Sequence, residues 1–155
     1  MWCVVAAIEQ AMCVRMDEIC TDLQENNLCG FEALHDLRLP FGPITAYLYV
    51  RSSLQHTDFF ARLCVVEPSG KSINLCDGIV RLIPGCVVPQ ADGSLRIQID
   101  IWPTAQRFRR GQRIRIQVSS GAHPRFVRNS GTGEPLARAT KLHVAEQSVF
   151  HHPET

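Results

Sequence analysis

The sequence has little net charge, no regularly spaced cysteines and no long apolar run, and each absence disfavours a class of protein. The 155-residue chain carries a formal net charge of +1, which gives no electrostatic basis for binding nucleic acid or an anionic membrane. Its seven cysteines include no C-x-x-C pair, which disfavours a zinc ribbon or a thioredoxin-like motif. No stretch approaches the roughly 20 apolar residues of a membrane helix, and residues 1–7 lack the basic start of a signal peptide. We expect a cytoplasmic protein, since free thiols point to a reducing compartment.

The sequence also lacks the motifs that carry catalysis. The G-x-S-x-G turn of an α/β-hydrolase needs small residues on both sides of the serine, and the nearest match, Gly70-Lys71-Ser72-Ile73-Asn74, lacks the second glycine. No H-x-x-x-H or H-E-x-x-H pair occurs, and Gly131-Thr132-Gly133 lacks the spacing of a phosphate-binding loop. We therefore predict no catalytic residue, no metal ligand and no cofactor in this chain.

The sequence leaves two interpretations of Asp58 and Asp77 open, one catalytic and one structural. Asp58 and Asp77 could act as an acidic pair in glycoside chemistry. Alternatively they cap turns or pair with a partly buried arginine such as Arg81, which falls between Ile79 and Ile83 on one strand face. We favour the structural interpretation, because charged groups persist inside a protein mainly when they are paired.

Residues 1–41 differ in pattern from the rest of the chain. Apolar residues recur there at spacings of three and four, as on one face of a helix, at Ile8, Met12, Met16, Ile19 and Leu23. The segment from Asn26 to Gly30 is a plausible helix stop. We predict an atypical N-terminal segment over 1–41, partly helical or disordered, and one β domain over 42–155.

From residue 42 onward apolar and polar side chains alternate with a period of two, which indicates half-buried strands. The predicted strands are 44–51, 59–66, 72–75, 79–83, 95–101, 113–119 and 141–150. Turn residues separate them, including Glu67–Lys71 and Asp92-Gly93, and Pro103 ends the strand before it. Short strands without intervening helices favour an antiparallel sandwich or barrel. The segment 121–138 is long for a loop, so we expect it to be functional or packed on itself.

The order of the motifs resembles the C-terminal non-catalytic domain of the X-Pro dipeptidyl-peptidase and cocaine esterase (CocE/NonD) family of serine hydrolases. The stretches that carry the resemblance, read in chain order, are Gly42-Pro43-Ile44, Thr57–Leu63, Val65–Gly70, Leu75–Arg81, Ile99–Ala105, Phe108–Arg115, Ser119-Ser120, Pro124–Phe126 and Arg128–Gly133. Each stretch is weakly specific by itself, and their order gives the specificity.

The resemblance implies an all-β jelly-roll sandwich of the galactose-binding-like type, packed against an α/β-hydrolase domain that is absent from this chain. The catalytic triad would lie in that absent domain, so this chain alone is predicted to be inactive. Residues that match the family motifs, with structural or interface roles, are Asp58, Asp77, Gly78, Arg81, Trp102, Gly111, Arg113, Arg125, Asn129 and Gly131. The family's substrates are peptides with an Xaa-Pro N-terminus, esters or acylated amides.

The chain departs from the family pattern at three places. Residues 1–41 do not resemble the usual entry strands, Gln112 stands where the family usually has histidine, and the closing strand that we expect does not follow Thr155. We therefore expect the jelly roll to lack an edge strand, and an open edge invites self-association.

The alternative function is a stand-alone carbohydrate- or ligand-binding jelly roll. Sugar sites stack their ligand on exposed aromatic rings, and the candidates are Trp2, Trp102, Tyr47 and Tyr49. Aromatic residues make up only 7% of the chain, which weakens this alternative. A metal site in the N-terminal cysteines has only their number in its favour.

Overall fold

The structure, a computed structural model, describes residues 31–32, 37–39 and 44–150. Its strands are β1 (Phe31–Glu32), β2 (Leu37–Leu39), β3 (Ile44–Ser52), β4 (Thr57–Val66), β5 (Ser72–Leu82), β6 (Leu95–Ile101), β7 (Gln106–Phe108), β8 (Arg113–Ser119) and β9 (Gln147–Phe150). These described residues contain no helix, and therefore none long and apolar enough to cross a membrane. The helix predicted between Ile8 and Leu23 lies outside the described residues.

All the strand pairs are antiparallel and form two main sheets. A four-stranded sheet has the order β1-β8-β4-β5, a three-stranded sheet has the order β6-β3-β9, and β2 pairs with β7. The fold is an all-β sandwich, as the alternation from residue 42 predicts.

The core lies between the two main sheets and is built from alternate residues. In β3 the burial alternates residue by residue, with Ala46, Leu48 and Val50 at most 1% exposed. From the four-stranded sheet, Phe59 and Leu63 join the same cluster. Each buried valine, leucine or phenylalanine of this cluster contributes about 1.5–3 kcal/mol by leaving water. The period of two along β3 specifies its side of this layer, whereas β4 is buried on both faces and does not alternate.

Two predicted strand boundaries are wrong. The strands predicted at 72–75 and 79–83 are one continuous strand, β5, which pairs with β4 from Ser72 to Leu82 across a bulge at Leu63/Cys64. Asp77-Gly78 interrupts the apolar pattern but not the backbone ladder. The last strand begins at Gln147 rather than Lys141. Before it, the backbone N–H of His143 bonds to Ser130 and Glu146 bonds to Ser53, and these contacts do not form a ladder.

Short strands also come from regions where none was predicted. Both β1 and β2 fall within the segment 1–41, and they pair with β8 and β7, respectively. Residues of that segment therefore contribute edge strands to the sheets. The predicted division of the chain at residues 41 and 42 stays a prediction.

Candidate functional site

Residues 121–146, which we call the strap, contain no strand and lie against the four-stranded sheet on the side away from the core. This outer face carries Asp58 and Phe60 of β4 and Asp77 and Arg81 of β5. In the ladder, Asp58 lies opposite Arg81 and Arg62 lies opposite Asp77, which places these side chains on one face. The outer-face residues Asp58 and Phe60 are only 2% exposed. The predicted long loop is thus packed onto the sheet rather than projecting into solvent.

Asp58 is the main anchor of the strap. Its carboxylate accepts two hydrogen bonds from Arg81, from Nε at 2.8 Å and from Nη2 at 2.7 Å, and a third from Asn129 Nδ2 at 2.7 Å. Arg81 Nη2 also donates to the carbonyl oxygen of Val127 at 3.2 Å. The hydrogen bond to Asp58 raises the pKa of Arg81 above its ordinary value, so this cation stays charged. The structure therefore gives Asp58 the arginine partner that the sequence favoured.

The Asn129 side chain is itself held in place, because its Oδ1 accepts a hydrogen bond from the backbone N–H of Gly131 at 3.0 Å. Gly131 has a φ of +78° and packs against Leu54 and His143, where an added Cβ would meet Leu54 Cδ1. A side chain at this position would be strained by the backbone conformation and crowded by its neighbours. Gly131 thus lets the strap approach the sheet closely enough for Asn129 to reach Asp58.

Asp77 is the second anchor, about four residues along the ladder from Asp58. Arg125 Nε donates to its carboxylate at 2.8 Å. The carbonyl oxygen of Asp77 accepts from the backbone N–H of Trp102 at 3.2 Å, which ties β5 to the end of β6. The next residue is Gly78, where an added Cβ would collide with the carbonyl oxygen of Asp100. The two sheets meet at Asp77-Gly78, where only glycine fits.

An aromatic contact lies between the two anchors. Phe126 of the strap packs against Phe60 of β4 with ring centroids 6.0 Å apart and the planes tilted by 59°. The guanidinium of Arg62 lies 4.9 Å from the centre of the Phe60 ring, and its buried Nε has no hydrogen-bond partner. The strap is therefore fixed to the sheet by the Arg125–Asp77 ion pair at one anchor and by the hydrogen bonds of Asn129 and Val127 at the other, with an apolar contact between them.

Of the remaining predicted site residues, Trp102 contacts this cluster through its backbone N–H, and Gly111 and Arg113 do not join it. Trp102 is 67% exposed at the end of β6, Gly111 has a φ of +84° beside Pro68, and Arg113 is exposed on β8. Gln112, the departure from the family pattern, is buried. Its side chain accepts from the backbone N–H of Arg109 at 2.7 Å and donates to Glu67 at 2.8 Å.

Sequence reasoning missed Gln147 and Val127 as contributors to the anchor region. Gln147 Nε2 donates to Thr57 Oγ1 at 2.6 Å and to the carbonyl oxygen of Asp58 at 3.0 Å. Val127 contributes only its backbone carbonyl. No local pattern marks either residue, because both contacts join residues far apart in the sequence.

The geometry argues against acid–base chemistry at Asp58 and Asp77. Four residues of ladder separate them by about 13 Å, beyond the roughly 5–9.5 Å between the carboxyl groups of a glycosidase pair. Each carboxylate is also occupied by its own arginine. Ser72 is exposed at the hairpin, and within the described ranges no group of three or more His, Cys, Asp or Glu residues could hold a metal ion. The two aspartates hold the strap in place through Arg125 and Asn129.

The aromatic candidates for a sugar site are poorly disposed. Arg96 covers one face of the Tyr47 ring at 4.4 Å, Tyr49 is half-buried, and Trp2 lies outside the described residues. A groove of about 470 Å³ beside Arg81, Cys86 and Arg96 has no aromatic residue in its lining. Trp102 alone offers an exposed ring among the described candidates.

Comparison with known proteins connects the fold to a family. A family model described as the X-Pro dipeptidyl-peptidase C-terminal non-catalytic domain matches residues 36–154. The chain is 41% identical over 121 residues to the cocaine esterase of Rhodococcus sp. (strain MB1 Bresler), which covers 74% of this chain and 21% of the esterase.

Two solved structures share the fold. An aminopeptidase from a marine sediment Thaumarchaeota archaeon superposes with a TM-score of 0.66 at 24% identity. An α-amino acid ester hydrolase superposes with a TM-score of 0.66 at 21% identity. Each comparison covers 77% of this chain and 22% of the other protein. The chain spans about a fifth of the length of these relatives.

Proposed function

The chain belongs to the family of X-Pro dipeptidyl-peptidase C-terminal non-catalytic domains, and from this membership we propose that it is the accessory domain of an α/β-hydrolase-type serine hydrolase. The parent activity is that of a dipeptidyl-peptidase or an acyl esterase. The observation that carries the proposal is the strap, whose anchors Asp58 and Asp77 each hold an arginine and have no free role in bond cleavage.

The length of the relatives supports this accessory role. The match covers only 21% of the cocaine esterase, so about four fifths of that enzyme lies outside the matched region. The matched region is described as non-catalytic, which assigns the chemistry of those relatives to the remainder. We propose that the partner of this chain is such a catalytic domain.

The first test is hydrolysis by the full 155-residue chain. We expect no turnover of Xaa-Pro dipeptide or ester reporters above the buffer rate, because the sequence has no G-x-S-x-G nucleophile motif and Asp58 and Asp77 are each paired with an arginine. Ser72→Ala is the control variant, since Ser72 is the serine nearest to a nucleophile motif. Turnover that disappears in the Ser72→Ala variant would overturn the proposal.

The second test asks whether the chain can serve as the accessory domain. In a chimera, the full chain replaces the matched C-terminal region of the Rhodococcus cocaine esterase. We expect the chimera to hydrolyse an ester reporter and the esterase without this region to lose stable activity. A chimera that is no more active or stable than the truncated esterase would contradict the accessory role.

A sugar-binding module remains the second candidate, and the exposed ring of Trp102 is the observation in its favour. Specific binding of the full chain to a glycan on an array, abolished by Trp102→Ala, would favour it over the accessory role. We expect no such binding, because a single exposed ring offers little specificity by itself.

The compartment is also part of the proposal. We propose a reducing, cytoplasmic setting, and the free thiols of Cys64, Cys76 and Cys86 support it. Thiol labelling and mass spectrometry of the protein from its native source, with alkylation at lysis, would test this. Disulfides at these positions would contradict it. Self-association through an open sheet edge stays a prediction.

A further inference from the structure

The large apolar side chains that the described residues expose are unevenly distributed. Three of them lie on the strap, with Val127 62% exposed, Leu142 61% and Val144 89%. Ile83, at the end of β5, is 52% exposed. Single exposed apolar residues need no explanation, whereas several on one segment indicate an interaction site.

Backbone contacts place these residues on one part of the surface. Arg81 donates to the carbonyl oxygen of Val127, and Ile83 follows Arg81 by two residues. Farther along the strap, the backbone N–H of His143 donates to the carbonyl oxygen of Ser130 at 2.8 Å. This bond brings the Leu142–Val144 stretch back beside the part of the strap that contains Val127. The backbone segments that carry these exposed side chains therefore lie close together, and we call their exposed surface the patch.

The anchors beneath the patch hold its backbone in place before any partner binds. Asp58 and Asp77 fix the strap from below through Asn129 and Arg125. A surface that is already ordered loses less conformational entropy on binding, and preorganised surfaces bind more tightly for that reason. These hydrogen bonds and the Arg125–Asp77 ion pair thus prepare a contact surface as well as stabilising the sheet.

The charge of the strap indicates the character of the complementary surface. Residues 121–146 carry four basic residues and two acidic ones, Glu134 and Glu146. Because Asp77 neutralises Arg125 beneath the strap, the other charged residues leave the strap a net charge of +1. Charges at the rim of an interface are usually matched by opposite charges on the partner. The complementary surface is therefore expected to be apolar at its centre and acidic at its edge.

We propose that the outside of the strap is the surface on which the catalytic domain of the parent hydrolase docks, with Val127, Leu142 and Val144 as its apolar contacts. This inference rests on the proposed accessory function and adds the location of the interface. The occupant follows from the relatives, in which about four fifths of the cocaine esterase lies outside the region matched by this chain.

The test compares two valine substitutions in the chimera with the Rhodococcus esterase. Val144→Glu places a charge in the patch, and Val88→Glu is the matched control, because Val88 is 79% exposed outside the strap. We expect Val144→Glu, alone or with Val127→Glu, to shorten the half-life of hydrolytic activity roughly tenfold or more, as loss of a contact worth over ~1.4 kcal/mol would. Val88→Glu should leave the half-life unchanged.

The same variants in the isolated 155-residue chain complete the test. We expect neither to change its melting temperature, since both side chains are exposed. Destabilisation of the isolated chain by Val144→Glu would mean that the chain itself, or a second copy, covers the patch, and would overturn the inference. An active chimera in which Val144→Glu and Val88→Glu behave alike would overturn it while leaving the accessory function intact. A chimera that is inactive even with an unaltered strap counts against the accessory function itself.

Discussion

The two main sheets of this sandwich share a core but have different outer faces. On the three-stranded sheet, Gln98 and Asp100 face solvent and bond to each other at 2.9 Å, and Arg96 lies over Tyr47. On the four-stranded sheet, Asp58 and Phe60 occupy the corresponding outer positions and are buried under the strap. On the three-stranded sheet these outer side chains contact neighbours on the same sheet. On the four-stranded sheet the outer side chains are covered by the strap, which is distant in sequence.

This difference has an energetic consequence. An exposed polar contact such as Gln98–Asp100 contributes little, because water competes for both groups. A buried carboxylate such as Asp58 has lost its hydration, so its partners must replace that hydration fully. Substitutions on the four-stranded sheet should therefore cost much more than similar substitutions on the three-stranded sheet.

The largest effect is expected at Gly78, where the two sheets meet. Gly78→Ala would push a methyl group into the carbonyl oxygen of Asp100 and force the sheets apart. We expect a loss of roughly 4 kcal/mol or more in the free energy of unfolding, measured in urea by circular dichroism. Gly121→Ala is the control, since an added Cβ there meets nothing within 4 Å. Equal stability of the two variants would show that the sheets do not approach each other here.

The next effect tests the apolar contact under the strap. Phe60→Ala removes a ring that is 2% exposed and packs on Phe126, and we expect a loss of about 3–5 kcal/mol. Tyr47→Ala on the three-stranded sheet should cost about 1 kcal/mol or less. Chemical denaturation of both variants checks the difference. Similar losses would mean that the strap does not bury Phe60.

A smaller effect is expected for the main anchor. Asp58→Ala leaves Arg81 and Asn129 without their acceptor, and we expect a loss of about 2–3 kcal/mol. This is below the usual cost of breaking a buried pair, because the Arg81 side chain is 38% exposed and regains water. Asp100→Ala should change stability by no more than about 0.5 kcal/mol. Faster proteolysis within the strap of the Asp58→Ala variant would be the independent readout, and equal cleavage in both variants would contradict the anchor role.

The smallest effect is a pH dependence that arises at Cys76 on the four-stranded sheet. Burial, with a contribution from Asp77, raises the pKa of Cys76 from 9.0 to about 11. The folded state therefore retains the thiol proton in a range where the unfolded state has lost it, so this thiol lowers stability as the pH rises from 9 towards 11. We expect the Cys76→Ala variant to lose less stability than the parent chain between these two pH values, as measured by urea unfolding. Parallel pH profiles would contradict the raised pKa.

Most of the strand pattern could be predicted from the sequence, because alternation is a local signal. The strands β3, β6 and β8 follow from the period of two, whereas β4 is a mostly apolar stretch that is buried on both faces. The sequence predicts a strand break at Asp77-Gly78, because the apolar pattern is interrupted there. The structure shows that the strand continues and that Gly78 is required because the backbone of Asp100 lies against it. Lys141–Val144 also alternates, but its backbone bond from His143 goes to Ser130 of the strap and it forms no ladder.

The site was less predictable, because its contacts join distant parts of the chain. The pairing of Asp58 with Arg81 could be inferred from their place on strands, whereas the bond from Asn129 to Asp58 spans 71 residues. The resemblance marked Asn129, Arg125 and Gly131 without giving their partners. Periodicity describes which face a residue occupies, and it carries no information about which loop returns to cover that face.

The way the strap is attached also determines how its length can change. Side chains at a few points hold it, chiefly through Asn129 and Arg125, and no continuous ladder of backbone bonds fixes its register. Extra residues in the exposed turn around Pro135 would lengthen the strap without shifting any strand pair, since longer surface loops add little closure entropy. Homologues and designed variants can therefore enlarge or reshape this segment while both sheets stay unchanged.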